Sequence, residues 1–495
     1  MEIRDTISRE VQSTSLFQGV PTRLLGTKMG STAIFRQSIN DFPEELALKV
    51  ISQVADRSTL YNLLFSSKRI YRITLPILYR SIDHQMYKHP PMIHSAVRTL
   101  LLKPELARKV EMIGIRDPKP CQQFWDLKSW GRWAKAEYRA KVHEDDEELF
   151  LAGSQHLLSP GLLESGLPTL EHLMEKEEAQ VALLISLCPN VKRFLLENPS
   201  TPTESPRFVL DYLVLQILHP QIRDGKLLQN LEYLTTVTER LEGGQGGFRL
   251  SSIATFFLLP NLRRVKGVAC FEPEDDLFED FECPIATSSV RELRFFRSAV
   301  CPKGLSQTIG ACKALEVFGC DWAGLNVGWV EINFPLLTGA LLEQKRSLHR
   351  VRLNTAKHFN SWPERDDGLV PPFGKHLKEF DRLKTLDVPA SALIGWDENN
   401  VGGYDRLRDV LPRNIEDLKI NEFAPRLLEM IDDFASVCTE FCPLLRKLII
   451  SRRHADVDVE DGLKEKFAKL APDVKLLFVD GEEVNHFDSS IDGSI

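Results

Sequence analysis

The stretch Cys442-Pro443-Leu444-Leu445-Arg446-Lys447-Leu448-Ile449-Ile450 places an apolar residue, Leu445, ahead of Leu448 and Ile450, three and five positions on. Leu448 and Ile450 are two apart and share one face of a strand, while Leu445 enters from the preceding bend. The spacing recurs along the chain: Val110, Ile113, Ile115; Val191, Phe194, Leu196; Leu262, Val265, Gly267; Val290, Leu293, Phe295; Leu315, Phe318, Cys320; Leu348, Val351, Leu353; Leu383, Leu386, Val388; Ile415, Leu418, Ile420; and Val474, Leu477, Val479. A weaker copy starts at Leu231. Successive starts from Leu231 lie 31, 28, 25, 33, 35, 32, 30 and 29 residues apart, a near-constant period.

Helical material fills several intervals. Leu427, Ile431, Phe434, Cys438 and Phe441 step by four, three, four and three, and Leu336, Leu337, Ala340 and Leu341 form another inner face. Met92 to Leu102 is a further predicted helix. A single strand–helix unit cannot bury its own apolar face, but stacked neighbours can. The expected fold class is therefore α/β, with residues 86–480 forming an irregular strand–helix solenoid that has a strand-lined concave side. A closed α/β domain shares the alternation. The steady period and the lack of Gly-rich phosphate turns after strands favour the solenoid.

Ahead of this array, residues 39–82 read INDFPEELALKVISQVADRSTLYNLLFSSKRIYRITLPILYRSI. Asn40-Asp41 offers N-cap chemistry, and Pro43 suits a first helical turn. Leu46, Val50, Ile51 and Val54 predict one apolar stripe. Ser58 or Thr59 is expected to cap a second helix with Leu60, Leu63 and Leu64 inward. Lys68 to Leu75, with Ile70, Tyr71 and Leu75, predicts a third helix that Pro76 ends. Helices this short bury little apolar area, which marks the stretch as an interaction module.

Phe42-Pro43-Glu44-Glu45-Leu46, Ile51, Leu60-Tyr61-Asn62-Leu63, Ser67-Lys68-Arg69 and Pro76-Ile77-Leu78-Tyr79-Arg80-Ser81-Ile82 together resemble an F-box of the form common in fungal proteins. The family usually has Leu before the proline, where this chain has Phe42. The resemblance implies an F-box over residues 39–85 that docks a Skp-type adaptor of cullin–RING ubiquitin ligases through Phe42, Pro43, Leu46, Ile51 and Leu60. The array behind it resembles the divergent leucine-rich repeats that often follow an F-box. It departs from the strict pattern because the Asn expected after the strand is mostly absent, Asn354 and Asn421 being the closest.

Other segments interrupt the rhythm. Residues 1–38 and 481–495 are expected to be disordered tails. Residues 118–180 form an insertion with Phe124, Trp125, Trp130, Trp133 and Tyr138, read as packing or as a partner anchor. The acidic run Glu144 to Glu148 reads as a solvated turn or face. Gly243 to Gly247 is a loop without the lysine of a phosphate cradle. Loops are also expected at Phe271 to Pro284, Trp362 to Pro372 and Leu393 to Tyr404.

A chain of 495 residues with 43% hydrophobic and 27% charged residues has a soluble globular profile. Its net charge of −8 argues against nucleic acid and anionic membranes as partners. The nine cysteines are odd in number and sit mostly in apolar runs, so reduced thiols in the cytoplasm or nucleus are expected. No secretory signal is read at the N-terminus. Cys438 and Cys442 are four apart, but Cys438 belongs to the helical stripe, which favours core packing over zinc. Asp456 to Asp461 reads as a helix entry, not a calcium loop. No metal, cofactor or catalytic residue is expected.

These features point to a substrate-recruiting subunit of an SCF-type ubiquitin ligase, not an enzyme itself. Its partners would be a Skp-type adaptor, the cullin scaffold and an unknown target protein. The alternative is an F-box scaffold acting outside a ligase.

Overall fold

The computed structural model describes residues 42–85, 92–116, 142–154, 177–198, 218–238, 248–272, 283–322, 333–355, 374–394, 406–421, 425–452 and 457–480. The tails, the tryptophans of the insertion, the Gly243 to Gly247 loop and most of the loops expected at 271–284, 362–372 and 393–404 lie outside these residues. The chain divides into a unit ending at Ile73 and a larger unit from Thr74 onward.

The first unit is helical. Helix α1 spans Glu44–Ile51, with Pro43 as its N-cap in an extended conformation and no side-chain cap. Glu44 and Glu45 in its first turn face the positive end of the helix dipole. Helix α2 spans Arg57–Leu63 and is capped by Asp56, two or three residues earlier than the sequence suggests: its carboxylate accepts from the backbone N–H of Ser58 and Thr59. A carboxylate reaches both donors where one hydroxyl reaches only one. Helix α3 spans Lys68–Leu78 and continues through Pro76 instead of ending there. Near a helix C-terminus, proline removes a single hydrogen bond to the preceding turn, and Tyr79 N–H still reaches the Leu75 carbonyl at 3.1 Å.

The larger unit is built on a parallel sheet. Its main path carries twelve strands: β1 (Ser81–Gln85), β2 (Met112–Arg116), β3 (Arg193–Asn198), β4 (Tyr233–Thr238), β6 (Arg264–Val268), β8 (Glu292–Val300), β9 (Val317–Trp322), β10 (Arg350–Asn354), β11 (Thr385–Val388), β12 (Asp417–Ile420), β13 (Lys447–Arg452) and β14 (Lys475–Asp480). Two short strands, β5 (Phe248–Arg249) and β7 (Cys270–Glu272), form a side ladder against the end of β8. Along the main path each strand pairs with the next in the chain. Among the described strands the order never reverses, whereas a doubly wound α/β sheet turns back at a switch point.

Register explains why the triplets recur. Ile82, Ile113, Phe194, Leu234, Val265, Leu293, Phe318, Val351, Leu386, Leu418, Leu448 and Leu476 pair in one unbroken row across the sheet. All twelve are buried, and each such side chain contributes about 1.5–3 kcal/mol. The helices between strands cover this face. Helices α4 (Met92–Leu102) and α5 (Glu177–Leu187) pack on each other, as do α6 (Pro302–Ala311) with α7 (Phe334–Glu343) and α8 (Pro425–Ala435) with α9 (Val457–Leu470). Helix α5 carries Val181 to Ile185, all buried. The stripe from Leu427 to Phe441 is split between α8 and a short helical turn at Cys438–Phe441.

Four sequence expectations change. The last triplet is Val474, Leu476 and Phe478, not Val474, Leu477 and Val479: Leu476 pairs with Leu448 and Phe478 with Ile450. Lys475 to Val479 is apolar on both faces beyond its first residue, and a slip of one residue inverts a strand. Residues 81–85, which the sequence groups with the N-terminal helices, form β1. Tyr79, Ile82 and His84 carry the triplet spacing there, with histidine at the third position. His84 is buried, and its Nε2 lies 2.7 Å from the buried Glu177 carboxylate of α5. The acidic run is not wholly solvated, because Asp146 is buried and pairs with Arg98 at 2.8 Å and His94 at 3.5 Å. Leu336, finally, is exposed instead of inward.

Truncating the central row should be costly. Phe318→Ala is expected to lower the unfolding free energy by about 3–5 kcal/mol. Thr385→Ala, on the opposite face, should stay within about 0.5 kcal/mol. Urea titrations of the two variants check this, and equal midpoints would contradict the assigned facing.

Candidate docking surfaces

The N-terminal unit hides few side chains. Ala47, Ile51, Leu60, Ile70 and Ile73 are its buried apolar residues. Leu46, Leu48, Val50, Tyr61 and Phe65 are exposed, Leu46 at 52% and Phe65 at 55%. These are five of the ten large apolar side chains exposed among the described residues, gathered in one stretch of twenty residues. Isolated exposed apolar residues are ordinary, but such a concentration makes this stretch a candidate docking surface. On α1 the geometry is simple: Ala47 and Ile51 share the buried side, and Leu46 and Val50, four apart, share another. Tyr61 and Phe65 meet edge-to-face with ring centroids 5.3 Å apart, which limits their rotamers and lowers the entropy lost on contact.

The residues expected to dock an adaptor therefore divide. Pro43 and Leu46 are exposed, and Phe42 is half-buried. Its carbonyl accepts a hydrogen bond from the Arg69 guanidinium of α3. Ile51 and Leu60 are buried and hold the helices that present the others. Periodicity groups Leu46 and Val50 with Ile51, since a short helix that is apolar on most sides has no unique inner stripe. Leu48 and Phe65 were not foreseen as exposed. Their signal was an apolar count too high for helices of seven or eight residues.

The second surface is the outward face of the sheet. One register row from β3 to β14 runs Arg193, Tyr233, Arg264, Glu292, Val317, Arg350, Thr385, Asp417, Lys447, Lys475. The next runs Leu195, Thr235, Lys266, Arg294, Gly319, Arg352, Asp387, Lys419, Ile449, Leu477. These two rows hold nine basic and three acidic side chains, in a chain whose net charge is −8. Glu197 and Asp321 add two acids one step further along their strands. Several cations are held in place. Arg193 and Arg264 flank the Tyr233 ring at 5.4 and 5.1 Å from its centroid. Glu292 bridges Arg264 at 3.1 Å and Arg294 at 2.6 Å. Asp387 lies 3.6 Å from Arg352 and 3.8 Å from Lys419, and partial burial pushes the Lys419 ammonium below its usual pKa.

A pocket of about 410 Å³ opens on this face over β8 to β14, with Arg294, Gly319, Arg352, Asp387 and Lys419 in its lining. Beside it, Asn421 donates to the Leu353 carbonyl at 2.7 Å and to Asp387 at 2.9 Å. Asn354 and Asn421 are both buried at strand ends, so the two asparagines singled out from sequence sit where backbone groups need partners. Gly319 is the residue that sequence reasoning passed over. A glycine inside a strand marks a bulge or a close approach.

Eight of the nine cysteines fall among the described residues. The eight among the described residues are buried free thiols, and burial pushes Cys188, Cys270 and Cys442 up to about 12. Among the described residues no cluster of three His, Cys, Asp or Glu is placed to hold a metal ion, and no helix is long and apolar enough to cross a membrane. Compared with models of known protein families and with curated proteins, the chain matches none.

Asp56 gives the N-terminal surface an acid limit. Hydrogen bonds from the side chains of Thr59 and Ser58, then from the Thr59 backbone, hold its carboxyl down to about 2. A depressed carboxyl stabilises the fold fully above its unfolded pKa of about 3.9, and that contribution is lost as pH falls toward 2. Hydrogen-exchange protection of residues 58–63 should fall across that interval. In Asp56→Ala it should be weaker and should not change there.

Proposed function

We propose that this protein is the target-binding subunit of an SCF-type cullin–RING ubiquitin ligase. In this reading α1 to α3 are an F-box-like module that docks a Skp-type adaptor, and the sheet unit is an irregular leucine-rich-repeat-like solenoid that presents a target protein. The observation that carries the reading is the cluster of exposed apolar side chains on α1 and α2, within the stretch whose residues resemble an F-box. A partner surface would bury Pro43, Leu46 and the exposed part of Phe42, while Ile51 and Leu60 keep the helices in register. The sequential strand order and the continuous apolar row support the solenoid, since each strand–helix unit is completed by its neighbours.

The chain would contribute no catalytic group. Its work would be to hold a target near the ubiquitin-transfer centre of other subunits, where proximity raises the rate. A scaffold that binds the adaptor without the cullin is the second reading.

Leu46→Asp combined with Pro43→Ala should abolish adaptor binding in a calorimetric titration while leaving the thermal transition of the sheet unit in place. Both positions are exposed, so the change acts on contact and not on packing. Unchanged affinity would remove the assignment. Affinity purification of the intact chain separates the two readings: cullin recovered with the adaptor supports the ligase, and adaptor without cullin supports the scaffold.

A further inference from the structure

Two glycines sit at equivalent depth in the sheet for different reasons. Gly267 lies on the inward face, where a Cβ would collide with the Cys270 thiol and stand 2.9 Å from Phe295. Packing requires it to be glycine. Gly319 lies on the outward face of β9, paired with Arg294 on one side and Arg352 on the other. A Cβ there would stand 3.7 Å from Arg294 Cγ and 3.9 Å from Arg352 Cβ, ordinary contact distances. Its backbone is not left-handed. Neither sterics nor conformation asks for glycine, and glycine weakens a strand interior. Gly319 is buried, and its missing side chain leaves the pocket floor bare between the backbones of Arg294 and Arg352, about 10 Å apart across two strand spacings.

The slot has further chemistry. Arg352 Nε is buried and makes no hydrogen bond, although its guanidinium lies within ion-pair range of Asp387. Asn421 Oδ1 nearby is also without a donor. The pocket over the slot is lined by five basic residues (Arg294, Arg350, Arg352, Lys419, Lys447) and three acidic ones (Asp321, Asp387, Asp417). Ile449 and Phe296 add half-buried apolar surface beside the charges.

We propose that the Gly319 slot receives a carboxylate side chain from an extended acidic segment of a protein partner, held between Arg294 and Arg352. This rests on the reading of the sheet's outward face as the target-presenting face. Arginine suits a planar carboxylate because its donors are set in a fork. The basic surplus of the face complements an acidic strand of chain. Asp387 and Asp321 in the pocket lining favour a singly charged carboxylate over a doubly charged phosphate. Closing the slot with a side chain removes the approach without touching the sheet's inner row.

The test uses the full chain and a fluorescein-labelled oligoglutamate peptide, read by anisotropy at moderate salt, with oligoglutamine and a phosphoserine-substituted peptide alongside. Oligoglutamate is expected to bind and oligoglutamine not. Gly319→Val and Arg352→Ala should each weaken oligoglutamate binding by at least about tenfold, the loss of a charge-assisted hydrogen bond, while the thermal transition stays in place. Arg116→Ala, a basic residue on the same face of β2 and away from the pocket, should bind as the parent does. Gly319→Ala provides the same reading if the valine variant melts early. Undiminished binding by the Gly319 variants overturns the proposal. Equal weakening by Arg116→Ala overturns it too, because the attraction would then be diffuse. Markedly tighter binding of the phosphoserine peptide overturns the carboxylate assignment. Adaptor titration on the same samples keeps the proposals separate: a chain that binds oligoglutamate but no adaptor defeats the ligase reading and leaves the slot standing.

Discussion

Twelve buried side chains in one row, each directly beside the next, tie the larger unit together. A parallel strand with an apolar inner face has nowhere to hide that face except under its own helix and against the same row on its neighbours. The sheet is consequently cooperative along the row. A strand that loses its place exposes the apolar residues on both sides, which is why polar substitutions are rare there. The exceptions in the second inward row are His84, with a buried carboxylate partner in Glu177, and Thr236, whose hydroxyl meets the Cys270 thiol. A polar group at that depth is tolerated only when its hydrogen bond is made within the fold.

The same constraint produces the outward face. Because the inner row is committed to apolar residues, the charged residues that flank it along the strands lie on the other side, and register brings them together in lines. Nine cations and three anions in two rows are a consequence of facing as much as of composition. Their spacing is fixed by the strand separation, and five of the cations contact Tyr233, Glu292 or Asp387. A rigid array of this kind spends little entropy on ordering when a partner arrives. The N-terminal helices meet the opposite condition. They have more apolar surface than they can bury, so the surplus faces outward.

Much of the architecture was legible because a period-two signal within a roughly thirty-residue repeat is hard to produce by chance. Phe318 and Cys320, or Ile415, Leu418 and Ile420, announce a strand and its buried face together. Legibility failed where that signal was degenerate. Val474 to Val479 is apolar on both faces, and Tyr79-Ile82-His84 carries a polar third member. At the candidate sites the sequence marked Pro43 and Leu46 but could not separate them from Ile51 and Leu60. Helical spacing reports which residues share a side, and not whether anything covers that side. The Arg294–Gly319–Arg352 slot draws on strands separated by 25 and 33 residues in sequence, so no local window contains it.

By itself, then, the sequence determined the alternation of strand and helix, the residues that face inward on most strands, and the apolar excess of the first helices, because each of these depends on neighbours within a few positions. Tertiary structure alone decided that β1 joins the sheet, which way β14 faces, that Asp146 turns inward, and that two arginines flank Gly319. These depend on which strands lie side by side and in what register, and register is set by the whole row of contacts, not by any segment of it.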